Sequence, residues 1–213
     1  MKRFNFLTFI FTAFVVLALL SCASSGGSSG GGGGGGRVGE GGKWTFENPD
    51  HETGGWYLVN AEFYQYHGTA KLSRDDSTLG IPLLRIDVDY SKDSDSEWSE
   101  VKIANDFPKS INMKGIDKFA FDFYYNPSLR SEGIFKPKIW SNNGSKFINE
   151  TGLDLEKGSN VKWEDAADGW VKVRCEIYID KGPGFIPDMR LGIAGYLTDY
   201  AGPIFLDNIA WEE

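Results

Sequence analysis

Three stretches of this chain alternate apolar and polar residues without a break. Leu84, Ile86, Val88 and Tyr90 alternate with Arg85, Asp87 and Asp89. Phe119, Phe121, Phe123 and Tyr125 alternate with Ala120, Asp122 and Tyr124. Val171, Val173, Cys175, Ile177 and Ile179 alternate with Lys172, Arg174, Glu176 and Tyr178. Successive side chains of a strand point to opposite faces, so a period of two gives each segment one face for a core and one for water. Shorter candidates lie at 44–47, 56–63, 69–73, 99–103, 134–140, 189–196 and 203–211. Turn residues separate the strands, among them Pro49-Asp50, Asn126-Pro127 and Gly182-Pro183-Gly184. No segment holds a helical period. Short strands with one wet face each predict an all-β chain folded as a two-sheet sandwich.

The alternation begins only after a long preface. Lys2 and Arg3 precede an apolar run from Phe4 to Leu20, and Leu19-Leu20-Ser21-Cys22 closes it. A basic start, a short apolar stretch and a small residue before the cut read as a secretory signal peptide over 1–21. The run is short for a membrane span. Cys22 stands where a bacterial lipobox carries its acylated cysteine. Residues 22–42 follow as that cysteine and a Gly/Ser-rich tether, which spans roughly 25 Å on average as a coil. The folded domain is expected over 43–213, a usual size for one domain. These features predict a lipid-anchored protein of the bacterial cell envelope.

Charge narrows the partners. Loss of residues 1–21 removes two bases and no acid, which leaves 20 Lys and Arg against 30 Asp and Glu, a formal charge of −10. Such a chain is not built to bind nucleic acid, and only the lipid would hold it to a membrane. Cys175 is the one other cysteine, so an acylated Cys22 leaves no intramolecular disulfide.

Few residues point to bond-making chemistry. His51 and His67 have no spaced partner, and no Gly-x-Ser-x-Gly or phosphate loop occurs. Asp93-Ser-Asp95-Ser-Glu97 starts like a calcium loop but lacks its central Gly and final Glu. Glu97, Glu100, Asp122, Glu150, Asp154 and Glu164 form no recognisable catalytic pair, so a glycan hydrolase is the alternative reading, not the first.

The tryptophans say more. Trp44 shares parity with Phe46, and Trp211 with Ile209 and Phe205, which assigns both to the core. Trp98 falls with Glu100 and Lys102, and Trp140 with Lys136 and Lys138, on the polar side of their strands. A tryptophan there presents a large apolar ring to water, the usual mark of a binding surface. A sugar suits it: axial C–H groups stack on the indole while Glu100, Lys102 and Lys138 meet the hydroxyls. Trp56, behind Gly54-Gly55, begins a strand beside a flexible turn and is a third candidate ring.

The last strand carries a further signal, Gly202-Pro-Ile-Phe-Leu-Asp-Asn-Ile-Ala-Trp211. Ile204 and Leu206 point one way by parity, and Phe205, Asp207, Ile209 and Trp211 the other. An acid among large apolar residues needs a partner or a cation. Phe46-Glu47 brings a second carboxylate to Asp207 if the first and last strands are neighbours. The two end motifs resemble those of the galactose-binding-like jelly rolls of bacteria, in particular the mannan-binding carbohydrate-binding modules of family twenty-seven, found beside mannanases. The resemblance implies a β-jelly roll and non-catalytic binding of a β-linked polysaccharide, mannan before others. It also implies three binding tryptophans in the order of Trp56, Trp98 and Trp140, and a structural Ca²⁺ held partly by Glu47 and Asp207. No catalytic domain accompanies this one, so a separate glycan-degrading enzyme is an expected partner. Binding of protein, in adhesion or cell-envelope structure, is the remaining alternative.

Overall fold

A computed structural model describes residues 42–59, 70–91, 98–141, 153–155, 161–179 and 184–212. The leader, Cys22 and nearly all of the tether lie outside these residues, as do His67, the acidic run 93–97 and Glu150. Among the described residues the chain forms eleven strands: β1 (Lys43–Trp44), β2 (Tyr57–Leu58), β3 (Lys71–Asp75), β4 (Leu83–Asp89), β5 (Trp98–Asn112), β6 (Lys118–Tyr125), β7 (Ile134–Trp140), β8 (Val161–Asp165), β9 (Val171–Tyr178), β10 (Phe185–Tyr196) and β11 (Ala201–Glu212). Seven form one sheet in the order β3-β4-β11-β6-β9-β8, with β1 also on β11; four form the other, β2-β5-β10-β7. From β4 to β7 and again from β9 to β11 the chain changes sheet at each step, as a jelly roll does.

The inward residues of both sheets make one core. Leu84 and Ile86 of β4, Phe119, Phe121 and Phe123 of β6, and Val173, Cys175 and Ile177 of β9 meet Ile103 of β5, Ile139 of β7 and Leu191 and Ile193 of β10. Trp44 and Trp211 join the core as parity requires, with ring centroids 4.8 Å apart and planes perpendicular. The first and last strands are neighbours, Trp44 lying opposite Ile209.

Two features depart from simple alternation. In β11, Asp207 pairs with Asp122 and Ala210 with Ala120, so one strand carries an extra residue. Asn208 absorbs it with φ +48°, a left-handed conformation that asparagine tolerates better than most residues. The bulge resets the parity. Ile204, Leu206, Ile209 and Trp211 therefore all reach the main core, whereas Phe205 faces the other way, against Leu83, Tyr124 and Trp170.

The second departure corrects the reading of Trp56. Its ring is 2% exposed and packs edge-on to Trp44 at 5.5 Å, so it is a core residue and not an open sugar platform. The cause is the preceding turn. Gly54 and Gly55 take φ +59° and +83°, and the Asn105 side chain donates to Gly54 O at 3.0 Å. Strand geometry starts only at Tyr57, so the chain enters β2 with Trp56 inward and Tyr57 outward.

Candidate functional site

The outer face of the four-stranded sheet gathers the charged and aromatic residues that parity had put on polar faces. In the register of β10 with its neighbours, Tyr196 lies between Trp98 and Ile134, Ala194 between Glu100 and Lys136, and Gly192 between Lys102 and Lys138. Arg190 lies between Ala104 and Trp140, and Tyr57 is opposite Ala104 on the far side. Residues directly opposite on adjacent strands share a face, so these side chains form one surface.

Glu100 is its centre. The carboxylate is 9% exposed, with Oε1 3.1 Å from Lys138 Nζ and Oε2 3.2 Å from Lys102 Nζ. Although Lys138 is within ion-pair range, Oε1 is buried and has no well-aligned hydrogen-bond donor. The two ammonium groups sit against the indoles: Lys138 Nζ is 5.3 Å from the Trp98 centroid and 6.0 Å from that of Trp140, and Lys102 Nζ is 5.9 Å from Trp140. Gly192 makes this possible. A Cβ there would overlap Glu100 Oε1 and press to 3.0 Å from the Trp140 ring. Trp98 is 38% exposed and leans on Tyr196, centroids 6.2 Å apart.

Trp98, Trp140, Glu100, Lys102 and Lys138 are thus brought together, and Trp56 is not among them. Sequence reasoning missed Tyr57, which is 40% exposed on the same face. Its hydroxyl donates to Asp106 Oδ2 at 2.9 Å, and burial, then that bond, raises its pKa. It also missed the network beside Trp140, where Asp188 accepts from Ser141 Oγ and Arg190 Nε, each at 2.8 Å. The signal for Tyr57 was the two glycines, which shift the start of the strand by one residue. The surface offers open rings, two ammoniums and a carboxylate, groups suited to holding a polyhydroxylated ring.

The two acids at the domain ends form a separate locality. Asp207 is half-buried, and burial raises its carboxyl above the ordinary aspartate range; the Asn208 backbone N–H opposes this, while Asp122 and Glu47 add to it. Glu47 is exposed. Asn208 Nδ2 donates to Asp207 Oδ2 at 3.0 Å and to Asp122 Oδ2 at 2.8 Å. Asp122 itself is engaged by Arg174 and Lys172. Among the described residues no group of three or more His, Cys, Asp or Glu is disposed to hold a metal. With Asp122 already held by Arg174, Lys172 and Asn208, Glu47 and Asp207 are the carboxylates left at this end, and further oxygens would have to come from the backbone.

The domain has relatives among known proteins. Its sequence matches the family profile of carbohydrate binding module 27 over residues 50–212. No curated protein matches it. Several solved structures share its fold. TmCBM27, a carbohydrate-binding module with specific mannan recognition, is 18% identical with a TM-score of 0.56, covering 79% of this chain and 94% of its own. The CBM27-1 of Caldicellulosiruptor saccharolyticus, in complex with mannohexaose, is 18% identical with a TM-score of 0.59, covering 78% and 93%. A module of family 28 specific for non-crystalline cellulose is 19% identical with a TM-score of 0.57, covering 75% and 88%. The chain belongs to the carbohydrate binding module 27 family.

Proposed function

We propose that the domain binds a β-linked polysaccharide without transforming it, and that mannan is its preferred ligand. The observation that carries this is the placing of Trp98 and Trp140 on one sheet face around Glu100, Lys102 and Lys138, above the shallow floor at Gly192. The mannan and mannohexaose bound by the two family relatives support the choice of glycan. Stacking a sugar on one indole removes enough apolar surface to be worth on the order of 1–2 kcal/mol. Two such rings with a few charge-assisted hydrogen bonds offset the cost of association and give affinities of roughly 10⁻⁴ to 10⁻⁶ M. Tyr57 takes the place expected of Trp56 as a third aromatic. Calorimetric titration with mannohexaose, cellohexaose and xylohexaose tests the reading; equal or absent heats for all three would remove mannan as the ligand.

The same proposal extends to the ends of the chain. Cys22 carries a lipid, the tether lets the domain search beyond the membrane, and captured glycan passes to a separate enzyme. Cys22→Ala moves the protein to the soluble fraction, and an unchanged membrane fraction refutes the anchor. Glu47 and Asp207 hold a structural Ca²⁺ with backbone carbonyls. At a hundredfold excess over Kd the ion adds about 2.7 kcal/mol of stability, so EDTA lowers the Tm by several degrees; an unmoved Tm removes the site.

A further inference from the structure

We propose that Arg190 is a specificity-determining residue of this face: its guanidinium donates to the adjacent O2 and O3 hydroxyls of one internal sugar, and Asp188, backed by Ser141, positions it. The inference rests on the glycan-binding reading and adds to it the residue that reads the configuration at C2.

Arg190 lies in a row that crosses the four-stranded sheet. Tyr57 is opposite Ala104, Ala104 opposite Arg190, and Arg190 opposite Trp140. The arginine therefore stands between two rings of one face. Tyr57 is exposed and Trp140 half-buried. Ala104, between Tyr57 and Arg190, is fully buried, so neighbouring side chains close over its methyl. The Arg190 charge is felt at the Tyr57 hydroxyl, where it opposes the rise in pKa that burial and then Asp106 cause.

The support of Arg190 is buried. Asp188 accepts from Arg190 Nε and from Ser141 Oγ, each at 2.8 Å, and both Asp188 and Ser141 are closed off from water. Arginine and carboxylate frequently pair through two parallel bonds, the grip expected of an arginine that only neutralised Asp188. Here Nε makes the contact, and among the described residues Nη1 and Nη2 donate to no other group. A planar fork fixed along one edge, with its tip unspent, is a pair of donors of set direction. Direction is what recognition of a sugar needs. In a 1,4-linked chain C1 and C4 carry the linkages, so O2 and O3 are the free hydroxyls on adjacent ring carbons of an internal unit. Inversion at C2 turns O2 from axial to equatorial and swings the line from O2 to O3, so a held fork fits one epimer better than the other. Asp188 and Asp106 lie opposite each other in the register, and an anionic ligand would have to approach both. Neutral hydroxyls meet no such repulsion.

The test uses two hexamers that differ in configuration at C2, mannohexaose and cellohexaose. Both are titrated by calorimetry into the full chain and into Arg190→Ala, Arg190→Lys, Asp188→Asn and the double variant of Arg190→Ala with Asp188→Asn, beside thermal melts of each. Arg190→Ala is expected to weaken mannohexaose about tenfold or more, as loss of charge-assisted hydrogen bonds does, and to change cellohexaose less than about twofold. Arg190→Lys keeps the charge and the stem but not the fork, and still loses about fivefold or more for mannohexaose. It decides the matter if the alanine variant unfolds. Asp188→Asn weakens mannohexaose about three- to fivefold, and the double variant binds within about twofold of Arg190→Ala, because Asp188 acts through Arg190. Separate structural damage would instead add the two losses. An Arg190→Lys protein that binds mannohexaose as the parent does overturns the inference, as do equal losses for both hexamers or additive losses in the double variant. If neither hexamer binds the parent, the glycan reading itself falls and takes this inference with it. If cellohexaose binds in place of mannohexaose and the variants weaken it in the same pattern, Arg190 keeps its role and the preference for mannan falls.

Discussion

The outer faces of the two sheets are written in the same alternating code, yet they end in opposite conditions. On the seven-stranded sheet the rings at the middle of the outer face are covered, and only Tyr178, at the end of β9, stays open among the described residues of that face. Trp170 packs on Phe205 at 4.9 Å, with Leu83 and Tyr124 beside them, and the turn at Ala167–Gly169 sets the indole down onto the sheet. The charges there are paired with one another. Arg174 reaches Asp122 at 3.2 Å and Glu212 at 2.9 Å, Lys118 reaches Glu212 at 3.0 Å, and Arg85 reaches Asp75 and Asp87 at 2.9 and 2.7 Å. On the four-stranded sheet Trp98 and Tyr57 stay open, and three ammoniums lie against rings. A face that satisfies its own groups has little left for a ligand. The face that leaves ring surface uncovered is the one equipped to bind.

The sharpest way to break this comparison uses tryptophans from each environment. Trp56→Ala empties a fully packed site and is expected to destabilise the fold by about 3–5 kcal/mol. Trp44→Ala should behave alike. Denaturant melts measure both. A Trp56→Ala protein that melts like the parent and loses glycan binding would put Trp56 on the binding face after all.

Trp170 is the next test, because it sits on an outer face by parity but is 7% exposed. Trp170→Ala should cost about 2–4 kcal/mol of stability, less than a central core ring because the cluster over it is small. Mannohexaose affinity should not change. Loss of affinity without loss of stability would mean that the seven-stranded sheet also meets the glycan.

Trp98→Ala and Trp140→Ala are expected to do the reverse. Each weakens mannohexaose binding about five- to thirtyfold, the equivalent of one stacked sugar, and moves the melting midpoint little. Calorimetry beside thermal melts separates the two effects. Variants that bind as the parent does, or that simply unfold, would return both rings to the role of structural cover.

These contrasts also mark how far the sequence could be read. Strands, sheet class and the core roles of Trp44 and Trp211 follow from period-two alternation, because in a sandwich burial on one side forces that pattern. Alternation likewise put Trp98 and Trp140 with Glu100, Lys102 and Lys138 on outer faces. It could not separate Trp98 from Trp170, since both share parity with charged neighbours and only the turn before Trp170 covers its ring. It failed in β11, where the left-handed Asn208 shifts the count by one residue, and a shift of one exchanges the faces. Trp56 is a candidate only by its flexible turn and by resemblance, and that turn at Gly54-Gly55 delivers its ring inward. The bond from Ser141 to Asp188 was invisible because it joins residues far apart in the chain through a register that only the folded sheet defines, although Asp188 and Arg190 are neighbours on one face of β10.

The smallest expected effect concerns the acid beside the bulge of β11, Asp207. Burial, aided by Asp122 and Glu47, raises its carboxyl above the ordinary value of 3.8. The native state then keeps this proton to a higher pH than the unfolded chain does. Between the two pKa values the native state holds more protons, so this group's contribution to stability falls as pH rises across the window and is level above it. Asp75 works in the opposite sense: Ser77, Thr78 and Arg85 hold its carboxyl well below the usual range, so its contribution is present above the ordinary value and is lost as pH falls. A single pH profile mixes the two. The difference between the parent and Asp207→Asn, both measured in EDTA, isolates the first. The variant should gain on the parent as pH rises from about 4 toward neutrality, and added Ca²⁺ should reverse that order by stabilising only the parent. A variant that loses ground to the parent as pH rises in EDTA would show that ionised Asp207 is stabilised by the fold alone, and the electrostatic reason for a cation at Glu47 and Asp207 would be gone.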